Sequence, residues 1–273
     1  MSDRERIRAY YAQGNEWARL EGDEAWLEYA RTLQYIDRYF QPGSRVLDLG
    51  GGPGRYTIAM AQRGHRVTML DLSMEQVKEA QRRIQDAEVI DRIDGLVVGD
   101  ARDLSQLPGQ PFEAVLALGP LYHADGLDEI QGFVDQIAQV LTPGGVVIGA
   151  FIPRTSGVSG LIARAAEGTD QVMPGALAET FRTGRFQNAV DGRFGEAFFA
   201  HPAQIRTAFS TDFQEIGVFS LRGMGAGYGR QLLTLANQKP ALFEEVMALI
   251  DETSDREDVI GLGWHAVFVG RRR

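Results

Sequence analysis

The amino-acid sequence predicts an α/β protein with a doubly wound, mostly parallel β-sheet that carries helices on both faces. Two observations support this fold class. Short apolar runs alternate with helical patterns between residues 45 and 151, and a glycine-rich turn follows the first of these runs. Strands separated by helical patterns form βαβ units with a parallel sheet, in which ligands bind at the carboxyl ends of the strands.

The composition of the 273-residue chain is typical of one globular domain and excludes several kinds of site. There is no cysteine, and the four histidines show no metal-ligand spacing, so we expect neither a disulfide nor a metal site. A net charge of −9 disfavours a nucleic-acid partner, because phosphates would be repelled. The polar N-terminus and the lack of any 18-residue apolar run lead us to expect a cytoplasmic protein without membrane contact.

The first part of the chain is predicted to be helical and then to alternate. Residues 1–41 carry apolar and aromatic residues at helical spacings, and Pro42-Gly43 ends this region. The predicted strands that follow cover residues 45–49, 66–70, 95–98, 113–118 and 146–151. The predicted helices between them cover residues 55–63, about 74–90, with Ser73 as its cap and Gln76 as the capping-box partner, and about 127–141.

After Pro153 the alternation stops. Residues 154–200 are rich in glycine, alanine, arginine and phenylalanine, and we interpret them as an insertion over the strand ends with short helical fragments at best. The remaining predicted elements are a helix, a strand, a second helix and a final strand, over residues 202–210, 213–221, about 229–252 and 264–270.

The turn after the first strand has the strongest ligand-binding pattern in the sequence. Residues 48–54 read Asp-Leu-Gly-Gly-Gly-Pro-Gly, and glycines let the backbone turn tightly and approach a ligand without a Cβ in the way. The helix that follows offers the partial positive charge of its N-terminus to an anion. The alternative is a tight βα turn that holds no ligand.

Aspartates follow the next two strands. Asp71 ends the second strand, where a carboxylate can take both hydroxyls of a ribose, although it could also be an acid at a helix start beside Ser73. Asp100 follows the third strand and could accept a hydrogen bond from an adenine amino group. Asp48 precedes the glycines, where a carboxylate suits a cofactor with cationic groups better than a pyrophosphate. The spacing of the glycines also differs from G-x-G-x-x-G.

With these residues the sequence resembles the class I S-adenosylmethionine (SAM)-dependent methyltransferases, most strongly over residues 45–151. The resemblance implies a Rossmann-like, seven-stranded sheet with an antiparallel seventh strand. It implies that the glycine turn holds the methionine part of SAM, Asp71 the ribose and Asp100 the adenine. The implied cofactor site comprises Asp48, Gly50, Gly51, Gly52, Gly54, Asp71, Leu72, Asp100, Ala101, Leu118 and Gly119.

The segments 118–123 and 10–20 further resemble a bacterial subgroup that methylates small molecules. We therefore expect one domain with SAM as cofactor and a small-molecule substrate. Its expected parts are a helical lid, a SAM-binding core, a cap over the substrate and the C-terminal strands and helix, at residues 1–41, 42–153, 154–200 and 201–273.

The acceptor side of the site is less clearly marked. His123 follows the fourth strand and is the leading candidate for a general base; alternatively, it holds its loop by a hydrogen bond. Tyr122 and Tyr11 are alternative candidates, as substrate-binding groups more than as bases, so that Tyr122 is a second catalytic candidate; His201 could face the pocket from the insertion. We expect His265 to be structural.

Two further segments bear on the substrate. The insertion contains phenylalanines that either roof an acceptor pocket or dock the insertion on the sheet, at positions 181, 186, 194, 198 and 199, with arginines at 182, 185 and 193. The glycine-rich run 223–229 suggests a mobile loop near the substrate rather than a second nucleotide site.

The sequence therefore predicts a SAM-dependent methyltransferase that acts on a small molecule. A nicotinamide-dependent oxidoreductase is disfavoured by Asp48 and by the lack of a Tyr-x-x-x-Lys pair. An RNA methyltransferase is disfavoured by the net charge and by the absence of an Asn-Pro-Pro-Tyr-type run. A non-catalytic binder of SAM or a nucleoside stays open, because methyl transfer requires no fixed catalytic residue.

Overall fold

The computed structural model describes residues 17, 22, 25–105, 107–166, 168, 172–187 and 196–273. Within the predicted helical region 1–41, the described residues form α1, Trp26–Tyr39. Tyr11, Arg193 and Phe194, which the sequence places on the substrate side, lie outside the described residues.

A twisted sheet forms the centre of the molecule. Its strands are β1 Arg45–Leu49, β2 Arg66–Asp71, β3 Ile93–Val98, β4 Phe112–Ala117, β5 Leu141–Pro153, β6 Arg185–Gln187, β7 Glu196–Ala200, β8 Phe213–Ser220 and β9 Ala266–Arg272. Seven of them run in the order β3-β2-β1-β4-β5-β9-β8, with β1 to β5 parallel and β9 antiparallel to both β5 and β8. The predicted doubly wound sheet and its antiparallel last strand are confirmed.

The middle strands are buried on both faces, which explains their apolar sequences. Val46, Leu47 and Leu49 of β1 are excluded from solvent, as are Val115 and Leu116 of β4. Strands covered by helices on both faces are near-continuous apolar runs rather than alternating ones. At the free edge, the residues of β3 are half-buried or exposed.

Helices cover both faces of this sheet. They are α2 Arg55–Gln62, α3 Met74–Asp86, α4 Leu127–Val140, α5 Arg154–Ala166, α6 Ala176–Thr183, α7 Pro202–Phe209, α8 Gly229–Gln238, α9 Pro240–Glu252 and α10 Glu257–Ile260. As predicted, the Ser73 hydroxyl accepts a hydrogen bond from the backbone N–H of Gln76 at the start of α3. None of the described helices combines the length and the apolar character needed to cross a bilayer.

Two sequence predictions for the helices were wrong in detail. The single helix predicted over 229–252 is two helices, because Pro240 cannot donate to a helical hydrogen bond and Lys239 before it is extended, with φ −143° and ψ 68°. The helix predicted to reach residue 90 ends at Asp86, and Glu88 has a positive φ of 57°. A short turn, Ile90–Arg92, then leads into β3.

The insertion has more regular structure than its sequence predicted. It contains the 13-residue helix α5, the helix α6 and the hairpin β6–β7. The strand β7 reads Glu-Ala-Phe-Phe-Ala and pairs in parallel with the last two residues of β5, as Ile152 with Phe199 and Pro153 with Ala200. Short apolar runs of this kind do not distinguish strand from helix, so the sequence alone did not reveal this pairing.

The helix α1 is anchored to the C-terminal part of the chain. Arg31 is buried, and its Nη1 lies 2.6 Å from Oδ1 of Asp251 in α9. The Tyr35 hydroxyl, also buried, donates a hydrogen bond to Ser254 Oγ over 3.1 Å. The Tyr35 ring packs on Phe219 of β8, 5.0 Å between centroids. These contacts fix the position of α1 beside the carboxyl ends of the strands.

Candidate active site

A cleft of about 1190 Å³ opens at the carboxyl ends of β1 to β4. Each of these strands contributes the residues that directly follow it, and α1 adds one wall with Glu28 and Thr32. Parallel sheets bind ligands at this edge, and the volume of the cleft includes the open solvent at its mouth. The lining contains ten of the eleven predicted cofactor residues, namely Asp48, Gly50, Gly51, Gly52, Asp71, Leu72, Asp100, Ala101, Leu118 and Gly119.

The glycine turn forms the floor of this cleft, and its backbone requires glycine. Gly50, Gly52 and Gly54 have positive φ values of 79°, 55° and 85°. At Gly51 the restriction is packing, because a Cβ there would lie 2.6 Å from Met69 Cγ and 3.0 Å from Asp48 Oδ2. Gly54 stands at the start of α2, against Ala80 of α3, and does not itself line the cleft.

Asp48 lies beneath the glycine turn and is almost completely buried. Its Oδ2 accepts a hydrogen bond of 2.5 Å from the Thr57 hydroxyl of α2. The pKa of Asp48 is raised to about 7, mainly by burial; the hydrogen bond from Thr57 acts in the opposite direction, and the negative charge of Asp71 contributes to the rise. The carboxyl therefore titrates near neutral pH, and a cation bound beside it would favour its ionised form.

Asp71 connects the glycine turn to the start of α3. Its Oδ2 accepts from the Gly52 backbone N–H and its Oδ1 from the Ser73 backbone N–H, each at 2.8 Å. Both readings of this residue therefore have structural support, because Asp71 lines the cleft and also holds the helix start. Each carboxylate oxygen can accept more than one hydrogen bond, so the two roles are compatible.

Asp100 is held by a neighbour that the sequence analysis did not single out. Its Oδ1 accepts from the backbone N–H of Arg102 at 3.0 Å and lies 3.1 Å from the guanidinium of the same residue. The guanidinium also reaches Glu129 of α4 at 2.5 Å and lies over the Phe133 ring. Arg102 also lines the cleft, beside the Asp100 carboxylate.

Tyr122 and His123 follow β4 in a short turn, Pro120–His123, and both line the cleft. His123 Nδ1 lies 3.4 Å from the carbonyl oxygen of Glu196 in β7, as expected for a histidine that holds its loop. The pKa of His123 is lowered to about 4, mainly by burial; the contact with the Glu196 carbonyl acts in the opposite direction, and the nearby His265 contributes to the lowering. The imidazole is consequently neutral at pH 7 and a weak base.

A second histidine lines the same cleft. His265 precedes β9, and its ring lies 5.2 Å from the Tyr122 ring, between centroids. Its Nδ1 is 3.0 Å from Oε1 of Glu28 in α1, and Glu28 Oε2 is 2.9 Å from Nη2 of Arg222 after β8. The sequence predicts a structural role for His265, and no motif or spacing connects these three residues, which lie far apart in the chain.

One other predicted substrate residue, His201, does not line this cleft. His201 is exposed at the start of α7: its backbone N–H donates to Gln204 Oε1 at 2.8 Å, and its carbonyl oxygen accepts from the Gln204 backbone N–H at 2.9 Å. It does not belong to the cleft lining, and Tyr11 lies outside the described residues. Gly223 and Gly225 of the glycine-rich run are buried, where a Cβ on Gly225 would lie 2.8 Å from Leu27. Gly225 therefore allows α1 to pack closely against this turn, while the mobility of the run 223–229 stays a prediction.

The described part of the insertion lines a neighbouring cavity instead of the main cleft. This second cavity shares Arg102 and His123 with the cleft, and β6 and β7 contribute Arg185, Phe186, Gln187, Glu196 and Ala197. Phe186, Phe198 and Phe199 are buried, whereas Phe181 is exposed. For these three buried residues, docking of the insertion on the sheet accounts for the aromatic content. Arg182 is exposed and pairs with Glu179.

The described residues contain no group of three or more histidine, aspartate or glutamate side chains arranged to hold a metal ion. The titratable groups around the cleft are therefore arranged in pairs and networks with arginines, hydroxyls and backbone amides. Such an arrangement can bind a cationic cofactor and accept a proton at an adjoining imidazole.

Comparison with known proteins gives consistent results. The profile of a family described as a methyltransferase domain matches residues 46–145. A ubiquinone biosynthesis O-methyltransferase of Xanthomonas campestris is 31% identical over 193 residues, which cover 65% of this chain and 78% of the relative. An enzyme of the same name from Xylella fastidiosa is 32% identical over 143 residues, covering 52% and 56%.

Solved structures share the fold at low sequence identity. Magnesium protoporphyrin IX methyltransferase from Synechocystis, with bound S-adenosylhomocysteine (SAH), superposes with a TM-score of 0.61 at 18% identity, covering all of both chains. Geranyl diphosphate C-methyltransferase from Streptomyces coelicolor superposes with a TM-score of 0.55 at 16% identity, covering 90% of this chain and 79% of that one.

Proposed function

Because this chain belongs to the class I SAM-dependent methyltransferases, we propose that its cleft holds SAM against the glycine turn and methylates a hydroxyl group on a small, ring-bearing molecule. The chain is an enzyme of methyl transfer with a small-molecule substrate, and SAM is its cofactor. One observation supports the placement of the cofactor above all others: Asp48, Asp71 and Asp100, which lie at or just after the ends of β1, β2 and β3, converge on one cleft around the glycine turn.

The three aspartates suit three different parts of SAM. Asp71 accepts the ribose hydroxyls with the lone pairs that its backbone contacts leave available. Asp48, beneath the turn, stabilises the cationic methionine end of the cofactor by its negative charge. Asp100 accepts from the adenine amino group, with Leu72 and Ala101 beside the base and Leu118-Gly119 beside the amino group. In this arrangement the adenine and Arg102 share the Asp100 carboxylate. The second partner of Arg102, Glu129, continues to neutralise the charge of the guanidinium.

The acceptor lies on the side of Tyr122 and His123. The walls there are mostly apolar, with Pro120, Tyr122 and Leu221 near α1, and an aromatic ring with one polar substituent suits such a surface. The O-methyltransferase names of the 31–32% identical relatives support oxygen as the methylated atom. The negative net charge and the narrow, partly apolar cleft favour a small molecule over a nucleic acid.

SAM supplies an activated methyl group, so the protein contributes mainly proximity and alignment. The Tyr122 ring and the neutral His123 imidazole orient the acceptor oxygen towards the methyl carbon. Walls from α1 and from the strand ends exclude water, which would otherwise compete for the hydrogen-bonding groups. We also propose that the segment before α1 covers the cleft as a lid and that residues 154–200 cap the acceptor through the second cavity, which meets the cleft at His123.

The test of this function combines binding and turnover. At a concentration a hundred times Kd, SAM or SAH should stabilise the folded protein by about 2.7 kcal/mol and so raise its melting temperature. NAD should leave the melting temperature unchanged. Incubation with SAM and a panel of phenols, catechols, amines and thiols, followed by mass spectrometry, should show one added methyl group on a phenol or catechol. A shift with NAD and none with SAM would contradict the cofactor, and methylation of amines or thiols alone would contradict the acceptor class.

A further inference from the structure

A buried chain of three side chains ends at the acceptor side of the cleft. It consists of His265 before β9, Glu28 in α1 and Arg222 after β8, and its first two members line the cleft. Nδ1 of His265 lies 3.0 Å from Oε1 of Glu28, and both Nε and Nη2 of Arg222 approach Oε2 of the same carboxylate, at 3.1 Å and 2.9 Å. All three side chains are buried or nearly so.

The order of charges in this chain sets the state of the imidazole. Arg222 is positive and keeps Glu28 ionised, because an opposite charge at this distance favours the charged carboxylate. The negative charge of Glu28 lies 3.0 Å from Nδ1 of His265, without a hydrogen bond between them, and favours the tautomer with its proton on Nδ1 and none on Nε2. A carboxylate in this position also stabilises the positive imidazole that forms when Nε2 takes up a proton.

We propose that His265 is the general base of the reaction and that Glu28, held by Arg222, is its positioning residue. This inference rests on the proposed function, since it needs an acceptor with a hydroxyl group. The acceptor oxygen forms a bond to the methyl carbon, the bond between that carbon and sulfur breaks, and its electron pair stays on the sulfur of SAH. The hydroxyl proton moves to Nε2 of His265, and the resulting positive charge is balanced by Glu28.

The neighbouring His123 lacks these features. Its Nδ1 faces a backbone carbonyl at 3.4 Å rather than a carboxylate, and burial lowers its pKa to about 4. A backbone carbonyl orients an imidazole but supplies no full negative charge to balance a proton. The Tyr122 ring contacts both imidazoles: its centroid lies 4.9 Å from that of His123 and 5.2 Å from that of His265. An acceptor group beside Tyr122 therefore comes within reach of both histidines.

The experiment compares two acceptors that differ in acidity. Catechol keeps its hydroxyl protons near neutral pH and needs a base, whereas 4-nitrocatechol is already largely ionised and does not. The variants are His265→Gln and Glu28→Gln. As a matched control, Asp251→Asn weakens the anchoring of the same helix through Arg31 and lies outside the cleft lining. Calorimetry with SAH and a melting curve accompany each variant.

We expect His265→Gln to lower turnover of catechol by about 10²–10⁴-fold, the range of general-base catalysis, with SAH affinity retained. Glu28→Gln should lower it by a smaller factor, and both variants should recover most of the wild-type rate with 4-nitrocatechol. The Asp251→Asn control should show the same ratio of the two acceptors as the wild type. If His265→Gln fails to fold, the proposal is tested by Glu28→Gln, through the ratio of its turnover with catechol to its turnover with 4-nitrocatechol.

Equal losses with both acceptors would overturn the base and leave His265 as a structural group, and so would an unchanged rate with catechol. If the wild-type protein binds SAM but methylates neither acceptor, the proposed acceptor class fails and the base falls with it. Failure of the base proposal is therefore distinguished from failure of the proposed function. If only the base proposal is wrong, the wild-type protein still methylates the acceptors.

Discussion

The backbone N–H of Gly52 donates a hydrogen bond of 2.8 Å to Oδ2 of Asp71, so the carboxylate proposed to meet the ribose also fixes the glycine turn that forms the floor of the cleft. The other oxygen of Asp71 holds the start of α3 through Ser73. Cofactor binding and local stability therefore depend on the same side chain.

Replacement of Asp71 should affect both properties. Asp71→Ala leaves two backbone N–H groups without their acceptor and should lower the free energy of unfolding by about 1–3 kcal/mol. It should also weaken SAM binding by about 1–3 kcal/mol, the scale of a lost charge-assisted hydrogen bond. Urea denaturation and calorimetry measure the two effects, with the exposed Asp86→Ala as control. A stability loss with unchanged SAM affinity would reduce Asp71 to a structural acid.

Asp48 should make stability depend on pH. Because its pKa is raised from 3.8 to about 7 in the folded protein, the folded state keeps a proton that the unfolded state has released. Its contribution is fully present below about pH 4 and is lost as the pH rises towards 7. The isosteric Asp48→Asn variant cannot titrate and should gain stability relative to the wild type across this window. Urea denaturation at a series of pH values measures both free energies of unfolding. A difference between the two proteins that stays constant from acid to neutral pH would contradict the raised pKa.

The same titration should be visible in cofactor binding. A positive group of SAM placed beside Asp48 favours its ionised form, so binding below neutral pH should release a proton. Calorimetry in buffers of different ionisation enthalpy measures that release, and Asp48→Asn should abolish it.

His123 should contribute as a hydrogen-bonding group. His123→Asn should lower turnover by about tenfold, the scale of one hydrogen bond, with SAM affinity intact. Since the pKa of His123 is about 4, the imidazole stays neutral above pH 6, and the variant should keep the wild-type pH profile between pH 6 and 8. A loss of about 10²-fold or more, with a changed profile, would instead make His123 the base.

A truncation tests the proposed lid. Deleting residues 1–21 leaves α1 intact, whereas a deletion through residue 30 would also remove Glu28 and its contact to His265. The shorter protein should remain folded, bind SAM more loosely and lose methyl transfer to a phenolic acceptor. Full activity after the deletion would show that the segment before α1 does not cover the site.

The sequence predicted the parts of the site whose residues are close neighbours in the chain. Asp48 and the glycine turn share one strand end, and Asp71 ends the next strand, so the βα alternation alone brought them together. The parallel core was predictable for the same reason, because buried apolar runs bounded by glycines leave few alternatives.

Side chains that meet only through the tertiary fold escaped prediction. Glu28 and His265 come from opposite ends of the chain, and Arg102 finds Glu129 only because α4 packs beside the loop that follows β3. The pairing of β7 with β5 was missed because a five-residue apolar run carries no information about its partner. Pairings of this kind depend on packing, which a periodicity does not record.

The 13-residue strand β5 serves two neighbours in succession: its middle residues pair with β9, and its last two pair with β7. Residues 154–200 thus leave and rejoin the framework at the end of a single strand. Exchanging this segment for that of another family member would leave the β5–β9 ladder unchanged. Chimeras made at this junction should keep the cofactor and alter the choice of acceptor, which makes the overhang of β5 the natural crossover point for redesigning the enzyme.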